Sequence, residues 1–408
     1  MQDEKNGARK GGRGRAVGRW LGGLGLLVLI ALAAGWWLTL PDRPDAFYTP
    51  PETVPAEPGM LLRSEAYDTD IPAGAKGWRI LYTSRLEDGS PTVASAIVVL
   101  PDIPAQGPRP LIAWAHGTTG IARGCAPSIS PAPFGGTPGM DEVVKRGWAM
   151  VATDYAGMGT PGHHAYLVGQ VAAYSVLDSV NAARQMAEWQ LGDRVVVWGH
   201  SQGGHAALWT GMRAGTDAPD LKIAGVAAMA PATELAAMIG YGARSSFGEI
   251  ITAYLYTAYH RLYPEIGEAY ISRFHAMVAK DISRRCILDW RAAWSLALTR
   301  LLPDQGLFLQ PISDGPFGDR LAQNDPNGAI DAPVLLAQGL ADEVIDPRLQ
   351  DGYVARRCAA GQAIDYREYP GLTHVSLVEP GSALTPQLLA WTEDRFAGKP
   401  ASSTCSKR

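Results

Sequence analysis

The chain has 408 residues, of which 47% are hydrophobic and 19% charged, enough to bury a substantial core. This length fits two or three domains, or one large domain with an insertion. The formal net charge of −4 hides an asymmetry, because residues 1–19 carry +4 and the rest of the chain therefore carries −8. A mildly acidic remainder without a basic stripe argues against nucleic-acid binding.

The amino-terminal segment indicates export. The basic stretch at 1–19 leads into residues 20–40, which contain no charge. As a helix this run extends about 31 Å, enough to cross a bilayer core. Positive charge before it and Trp36-Trp37 near its far end predict an uncleaved transmembrane signal anchor, with residues 1–19 in the cytoplasm and the rest of the chain outside. The alternative is a signal peptide cleaved at Ala31-Leu32-Ala33, which would release a secreted protein.

A proline-rich stretch follows the apolar run. Six prolines within residues 41–60 predict a stiff, extended spacer, which we place at 41–75, between the membrane and the folded domain. Residues 78–84 and 93–100 are then predicted as an antiparallel strand pair, because Asp88-Gly89 between them is a turn signal.

Short apolar runs alternate with helical patterns through most of the remaining chain. Strands are predicted at 111–115, 147–155, 195–200, 223–230, 332–339 and 363–369, and helices at 167–190, 347–360 and 383–396. This alternation predicts an α/β fold, with a mostly parallel sheet covered by helices on both faces and a core made of residues 76–232 and 331–400. Residues 233–330 interrupt the pattern with aromatic-rich helices, which predicts a helical cap inserted into the core.

One motif indicates a catalytic nucleophile. The apolar run at 195–198 is followed by Gly-x-Ser-x-Gly at 199–203 and then by small residues that begin a helix. In a strand–turn–helix context, Ser201 would project from the carboxyl edge of the sheet, in front of a helix amino terminus that favours negative charge. Taken alone, the motif also fits an ordinary glycine-rich turn.

A serine hydroxyl needs a base to remove its proton. Among the histidines after Ser201, His205 lies one helical turn further on, and His260 and His275 lie in the predicted cap. We therefore assign the base to His374, which follows the last predicted strand on a glycine-punctuated loop.

The acid that orients the base should come from the loop after the preceding strand. We assign it to Asp342, because Val344 and Ile345 would pack back and place it inside, whereas Glu343 and Asp346 are expected to be solvated. The order Ser, Asp, His, each at the carboxyl end of a strand, is that of the α/β-hydrolases.

Two backbone amides should form the oxyanion hole. We assign one to Gln202, directly after the nucleophile, and the other to Thr118 in the His-Gly-Thr-Thr-Gly loop at 116–120, which alternatively is a plain tight turn.

The chain has four cysteines: Cys125, Cys286, Cys358 and Cys405. In an oxidising compartment they could form two disulfides in three connectivities, or some could be buried free thiols. Because none has metal-ligand spacing, no metal site is predicted.

Five motifs together resemble the secretory lipase family, the lipase A type of α/β-hydrolase. They are HGTTG at 116–120, ATDYAGMGTPG at 152–162, YLVG at 166–169, GHSQGG at 199–204 and GLAD at 339–342. The resemblance covers residues 60–400 and implies a serine hydrolase acting on acylglycerols or simpler esters, with a helical cap. It also implies that Cys125 pairs with Cys286, tying core to cap, and Cys358 with Cys405. The predicted anchor departs from the family, whose members usually have a cleaved signal.

These features predict acyl-ester hydrolysis through an acyl-enzyme, carried out by Ser201, His374 and Asp342 without a metal or organic cofactor. A serine peptidase or amidase on the same fold would use the same triad. An aspartate-nucleophile hydrolase is disfavoured because serine holds the nucleophile position. A non-catalytic binding module is disfavoured because all three triad residues are present.

Overall fold

The computed structural model describes residues 11–242, 245–302 and 307–407, so the first ten residues of the predicted basic segment lie outside the described residues. The described strands are β1 Leu61–Tyr67, β2 Ala75–Arg85, β3 Pro91–Pro101, β4 Arg109–Ala115, β5 Ala149–Thr153, β6 Leu191–His200, β7 Lys222–Met229, β8 Val334–Gly339 and β9 Ile364–Tyr369. The described helices are α1 Gly11–Leu38, α2 Met140–Lys145, α3 Gly169–Ala183, α4 Gln202–Asp217, α5 Leu235–Gly242, α6 Ser246–Leu262, α7 Arg273–Ile282, α8 Ala292–Thr299, α9 Gly315–Asn324, α10 Pro347–Ala359 and α11 Leu384–Phe396.

The described strands form one nine-stranded sheet in the order β1-β2-β3-β5-β4-β6-β7-β8-β9. Strands β1 to β3 are antiparallel to their neighbours, and β3 is also antiparallel to β5. From β5 through β9 every neighbouring pair is parallel. The carboxyl ends of β4, β6, β8 and β9 therefore lie at one edge, where the loops that carry the predicted site residues also lie.

Helices cover both faces of this sheet, which confirms the predicted fold class. In β6, Val195 and Val197 contribute to the apolar core beneath α3 and α4, whereas Val196 and Trp198 contribute to the core beneath α2 and α11. All four side chains are buried. A strand covered on both faces has no solvent side, and this accounts for a continuous apolar run at 195–198 rather than an alternating one.

Helices α5 to α9 lie between β7 and β8, in the stretch predicted as the cap. A disulfide between Cys125 and Cys286 joins the loop after β4 to this stretch, with their Cα atoms 5.3 Å apart. A second disulfide joins Cys358 in α10 to Cys405 near the carboxyl terminus. This is the pairing that the family resemblance implies.

The stretch predicted as a spacer packs on the domain. Strand β1 pairs with β2 within the sheet, and Phe47 and Tyr48 are buried. Arg79 in β2 also donates to Asp45 over 2.8 Å and lies over the Phe47 ring. Proline density favours an extended chain but does not exclude packing. Here two aromatic side chains within the proline-rich stretch attach it to the core.

Candidate active site

Ser201 occupies a strained turn between β6 and α4. Its backbone angles are φ 58° and ψ −119°, a combination that non-glycine residues rarely adopt. A Cβ at Gly199 would lie 1.9 Å from the Gly203 carbonyl oxygen, and one at Gly203 would lie 1.9 Å from the Ala115 carbonyl oxygen. Both glycines are therefore required by close backbone packing. Strain of this kind, at a cost of about 1–3 kcal/mol, is found mainly where function holds a residue in place.

The structure brings His374 and Asp342 into direct contact. His374 Nδ1 donates to Asp342 Oδ2 over 2.8 Å, and the two residues are only 4% and 3% exposed. Asp342 follows β8 and His374 follows β9, so each lies at the carboxyl edge of the sheet. A proton on Nδ1 leaves Nε2 as the free acceptor, which is the tautomer a general base needs.

Three further donors hold the Asp342 carboxylate. The amides of Val344 and Ile345 donate to Oδ1 over 2.8 and 2.7 Å, and Gln338 Nε2 donates to Oδ2 over 3.0 Å. Burial acts to raise the pKa of Asp342, but His374 and these two amides outweigh it, so the pKa lies below its ordinary value. Asp342 is thus a charged, fixed acceptor for His374.

His200 connects the serine turn to the histidine loop. Its Nε2 donates to the His374 carbonyl oxygen over 3.0 Å, and its ring lies against the His374 ring with centroids 4.6 Å apart. Burial, with repulsion from His374, lowers the pKa of His200 to about 3, so His200 is neutral. Ser201 and His374, both described residues, share no hydrogen bond here. In free enzymes this contact is often loose and tightens with substrate.

Ser201, Gln202 and Thr118 line one small cavity. Gln202 is the first residue of α4, so its amide has no intrahelical partner. Its side chain is fixed by a 2.9 Å hydrogen bond from Nε2 to Nε2 of His164. Burial is the main factor that lowers the pKa of His164 to about 3, which keeps this nitrogen an acceptor.

The Thr118 side chain is held by Tyr166, whose hydroxyl lies 2.7 Å from Thr118 Oγ1. Gly117, the preceding residue, approaches the serine turn closely, since a Cβ there would lie 3.3 Å from the His200 carbonyl oxygen. The loop at 116–120 therefore packs directly on the turn that carries Ser201.

Helices α5 and α6 close this cavity, which has a volume of about 20 Å³. Its apolar lining includes Leu167, Met238, Ile239 and Ile251. A single water molecule needs about 10–15 Å³. The space next to Ser201 therefore holds about one water molecule and is too small for an acyl chain. In this conformation Ser201 is partly exposed, but the cavity beside it has no room for an acyl chain.

The structure also locates three residues that were considered for the triad and set aside, of which only Asp346 differs from expectation. Asp346, expected to be solvated, is 7% exposed and caps α10 by accepting from the Arg348 amide. Glu343 is exposed, as expected, with its carboxylate 3.4 Å from the His374 amide. His205 is buried in α4 with Nε2 2.7 Å from the Asn324 carbonyl oxygen, and is directed away from the serine.

Three residues that hold the candidate site residues in place were not predicted from the sequence: Gln338, His164 and Tyr166. Each acts by holding another residue, and side chains of this kind have no fixed spacing from the motif that they support. Among the described residues, no group of three or more His, Cys, Asp or Glu side chains is placed to hold a metal ion.

Buried neutral histidines should make stability depend on pH. Burial lowers the pKa of His205 to about 4, whereas the unfolded chain protonates it near 6.5. Its stabilising contribution is therefore complete above pH 6.5 and is lost as the pH falls towards 4, with about 2 kcal/mol lost at pH 5. In urea unfolding of the detergent-solubilised chain at pH 7 and 5, His205→Gln should lose correspondingly less stability than the wild type. The exposed His260→Gln is the matched control, and an unchanged pH difference in His205→Gln would contradict the assignment.

Comparison with known proteins identifies relatives over most of the chain. The secretory lipase family matches residues 140–404. The chain is 29% identical over 388 residues to the probable inactive lipase MT1628 of Mycobacterium tuberculosis, covering 87% of this chain and 82% of that protein. It is 24% identical over 428 residues to Lipase 10 of Candida albicans, covering 94% and 88%.

The fold matches that of a solved lipase. Candida antarctica lipase A in its closed state superimposes with a TM-score of 0.73 and 20% identity, over 89% of this chain and 88% of that one. The family match covers more than half of the chain. The chain therefore belongs to the secretory lipase family, and is a hydrolase of the lipase and esterase class on an α/β-hydrolase fold.

Proposed function

We propose that the protein hydrolyses carboxylic esters, such as acylglycerols or simpler acyl esters, through a serine acyl-enzyme. The observation that carries this proposal is the 2.8 Å hydrogen bond from His374 to the buried Asp342, beside a serine held at a positive φ. A serine, a base and an orienting acid at one sheet edge are the parts that nucleophilic acyl transfer needs.

In the first step Ser201 Oγ attacks the ester carbonyl carbon while His374 Nε2 takes the hydroxyl proton. The amides of Gln202 and Thr118 donate to the oxygen that becomes negative. When the intermediate collapses, the carbon–oxygen bond to the alcohol breaks and His374 returns the proton to the leaving alkoxide. Water then attacks the acyl-enzyme with the same base, which releases the carboxylic acid and restores Ser201.

We assign substrate binding to the cap, residues 233–330, over the core at 76–232 and 331–400. Met238, Ile239 and Ile251 of α5 and α6 offer an apolar wall beside Ser201, which suits an acyl chain. Because the cavity is too small for such a chain, these helices must move apart before substrate binds there.

Family membership supports export, as does the Trp20–Leu38 segment of α1, which has a mean hydropathy of 2.1 and no buried residue. We propose that this helix stays attached as a membrane anchor. Cleavage after Ala33 would instead secrete the protein and leave Trp36 and Thr39 in place. Amino-terminal sequencing of the mature protein distinguishes the two forms.

Fluorophosphonate labelling of the native full-length chain tests the proposed chemistry. We expect one adduct, located by peptide mass spectrometry on Ser201, and turnover of p-nitrophenyl esters well above that of aminoacyl amides. Heat-denatured protein is the control for non-specific labelling. Faster amide turnover would indicate a peptidase. A folded protein inert to both substrates and to the label would indicate a non-catalytic module, a pertinent outcome because one relative is named a probable inactive lipase.

A further inference from the structure

The cap exposes a concentrated apolar surface. Outside α1, ten large hydrophobic side chains of the described residues are strongly exposed, and six of them lie within residues 274–301. These six, called here the apolar cap surface, are 42–70% exposed: Phe274, Met277, Leu288, Trp290, Leu296 and Leu301. Large exposed apolar side chains concentrated in one short stretch of a folded chain indicate a contact surface.

The end of α1 is fastened to this part of the cap. Trp36 Nε1 donates to Asp281 Oδ1 over 2.8 Å, and Arg285 donates to Thr39 Oγ1 over 2.9 Å and to the Trp36 carbonyl oxygen over 3.2 Å. The Arg285 side chain is fully buried and paired with Asp281. Trp294 lies against Gly35, where an added Cβ would be 3.3 Å from its ring. Helix α1 is thus held to the cap by specific contacts, beyond its covalent attachment.

The apolar cap surface continues from the residue that holds α1. Phe274, Met277 and Asp281 share one stripe of α7, because residues three, four and seven apart lie on the same side of a helix. Along the α7 axis, Met277 and Phe274 are therefore only about 6 and 10 Å from Asp281.

The surrounding charges are suited to lipid headgroups. Lys280, Arg284 and Arg300 are exposed within the same stretch of the chain as the apolar cap surface. The nearby acids Asp281 and Asp289 are paired with arginines. Basic side chains next to a membrane-spanning segment attract anionic lipids, and tryptophans such as Trp290 favour the membrane interface.

We propose that the apolar cap surface lies in the outer interfacial layer of the bilayer that α1 spans. The cap then contacts the membrane through one fixed surface and does not move freely at the end of a flexible linker. This rests on the proposal that α1 remains attached, but not on the catalytic mechanism. Together with the proposed ester hydrolysis, this placement makes lipids of the same bilayer the nearest ester substrates.

Site-specific fluorescence quenching tests this placement. The full-length chain is reconstituted in vesicles of phosphatidylethanolamine and phosphatidylglycerol, with bimane on Phe274→Cys or, as a second site, Leu296→Cys. Because the four native cysteines form disulfides, only the introduced thiol is labelled. Ile103→Cys is the matched control, since Ile103 is 51% exposed, as is Phe274, and lies between β3 and β4 at the opposite edge of the sheet.

We expect lipids with a nitroxide near the headgroup end of the acyl chain to quench bimane at 274 and 296 several-fold more than at 103. Equal quenching at all three positions would overturn the proposal. Protection of position 274 from aqueous iodide without lipid quenching would overturn it too, because it would indicate a protein partner. Hydrolysis of a short soluble ester is measured on the same samples, so that failure of the catalytic proposal is recognised separately.

Discussion

Ser201→Ala should abolish ester hydrolysis, with kcat lowered on the order of 10⁶-fold for a short soluble p-nitrophenyl ester. Without Oγ no acyl-enzyme can form, and only residual stabilisation by the proposed oxyanion amides remains. Fluorophosphonate labelling should disappear from the same variant. Initial rates over a range of substrate concentration, with the full-length chain in detergent, measure the effect.

This substitution should leave the fold intact. The Ser201 hydroxyl has no hydrogen-bond partner among the described residues, and alanine retains the Cβ that the turn already accommodates at φ 58°. The midpoint of thermal unfolding should therefore be the same as in the wild type. Ser402→Ala, at an exposed serine whose hydroxyl donates to Asp365 in β9, is the matched control and should keep full activity. Activity or labelling that survives in Ser201→Ala would exclude Ser201 as the nucleophile.

The sheet could be predicted because its central strands are covered on both faces. Continuous apolar runs such as 195–198 are typical of parallel strands, and the pattern is local enough to locate β6 and β8. Gly199 and Gly203 could be interpreted for a similar reason, since an elbow of this shape allows no Cβ at either position. Residues that a local backbone conformation requires can therefore be recognised in the sequence.

Contacts between distant segments left no such signal. The sequence placed Trp36 and Thr39 in or beside a membrane segment, yet both contact the α7–α8 region some 250 positions later through Arg285. The fixing of Asp342 by Gln338 and of Gln202 by His164 depends on which loops meet at the sheet edge. Such pairings are set by tertiary packing, which single-sequence patterns do not encode.

The sequence also could not show that α5 and α6 are the helices that cover the cavity beside Ser201. Aromatic and aliphatic side chains at helical spacing predict a buried face, but they do not specify which surface covers it. In the structure that surface includes the cavity beside Ser201. The same residues serve both as core and as the wall of the proposed acyl site.

Asp342→Asn should lower kcat by about 10⁴-fold while the protein remains folded. The amides of Val344 and Ile345 both donate to Oδ1 and so require an acceptor there. The side-chain nitrogen of asparagine must then replace Oδ2, facing His374 Nδ1. His374 would accept at Nδ1 and carry its proton on Nε2, the tautomer that cannot take a proton from Ser201.

Gln338 determines the stability cost of this orientation. Its Nε2 donates to Asp342 Oδ2, while its Oε1 is buried without a hydrogen-bond partner among the described residues. If the Gln338 amide turns over, Oε1 accepts from the new asparagine nitrogen, but Nε2 then loses its hydrogen bonds to the Gly339 and Ile345 carbonyl oxygens. We therefore expect the loss of activity to fall on kcat with little change in KM, together with a modest fall in the midpoint of thermal unfolding.

Asp346→Asn provides the matched control on the same loop. Asp346 caps α10 through the Arg348 amide, and an asparagine oxygen can cap in the same way. Its activity should therefore stay near that of the wild type, although it too loses one carboxylate four residues from Asp342. A small effect of Asp342→Asn, or equal losses in the two variants, would show that the orienting acid is not Asp342. A loss of activity in Asp342→Asn but not in Asp346→Asn would instead show that Asp342 sets the tautomer of His374.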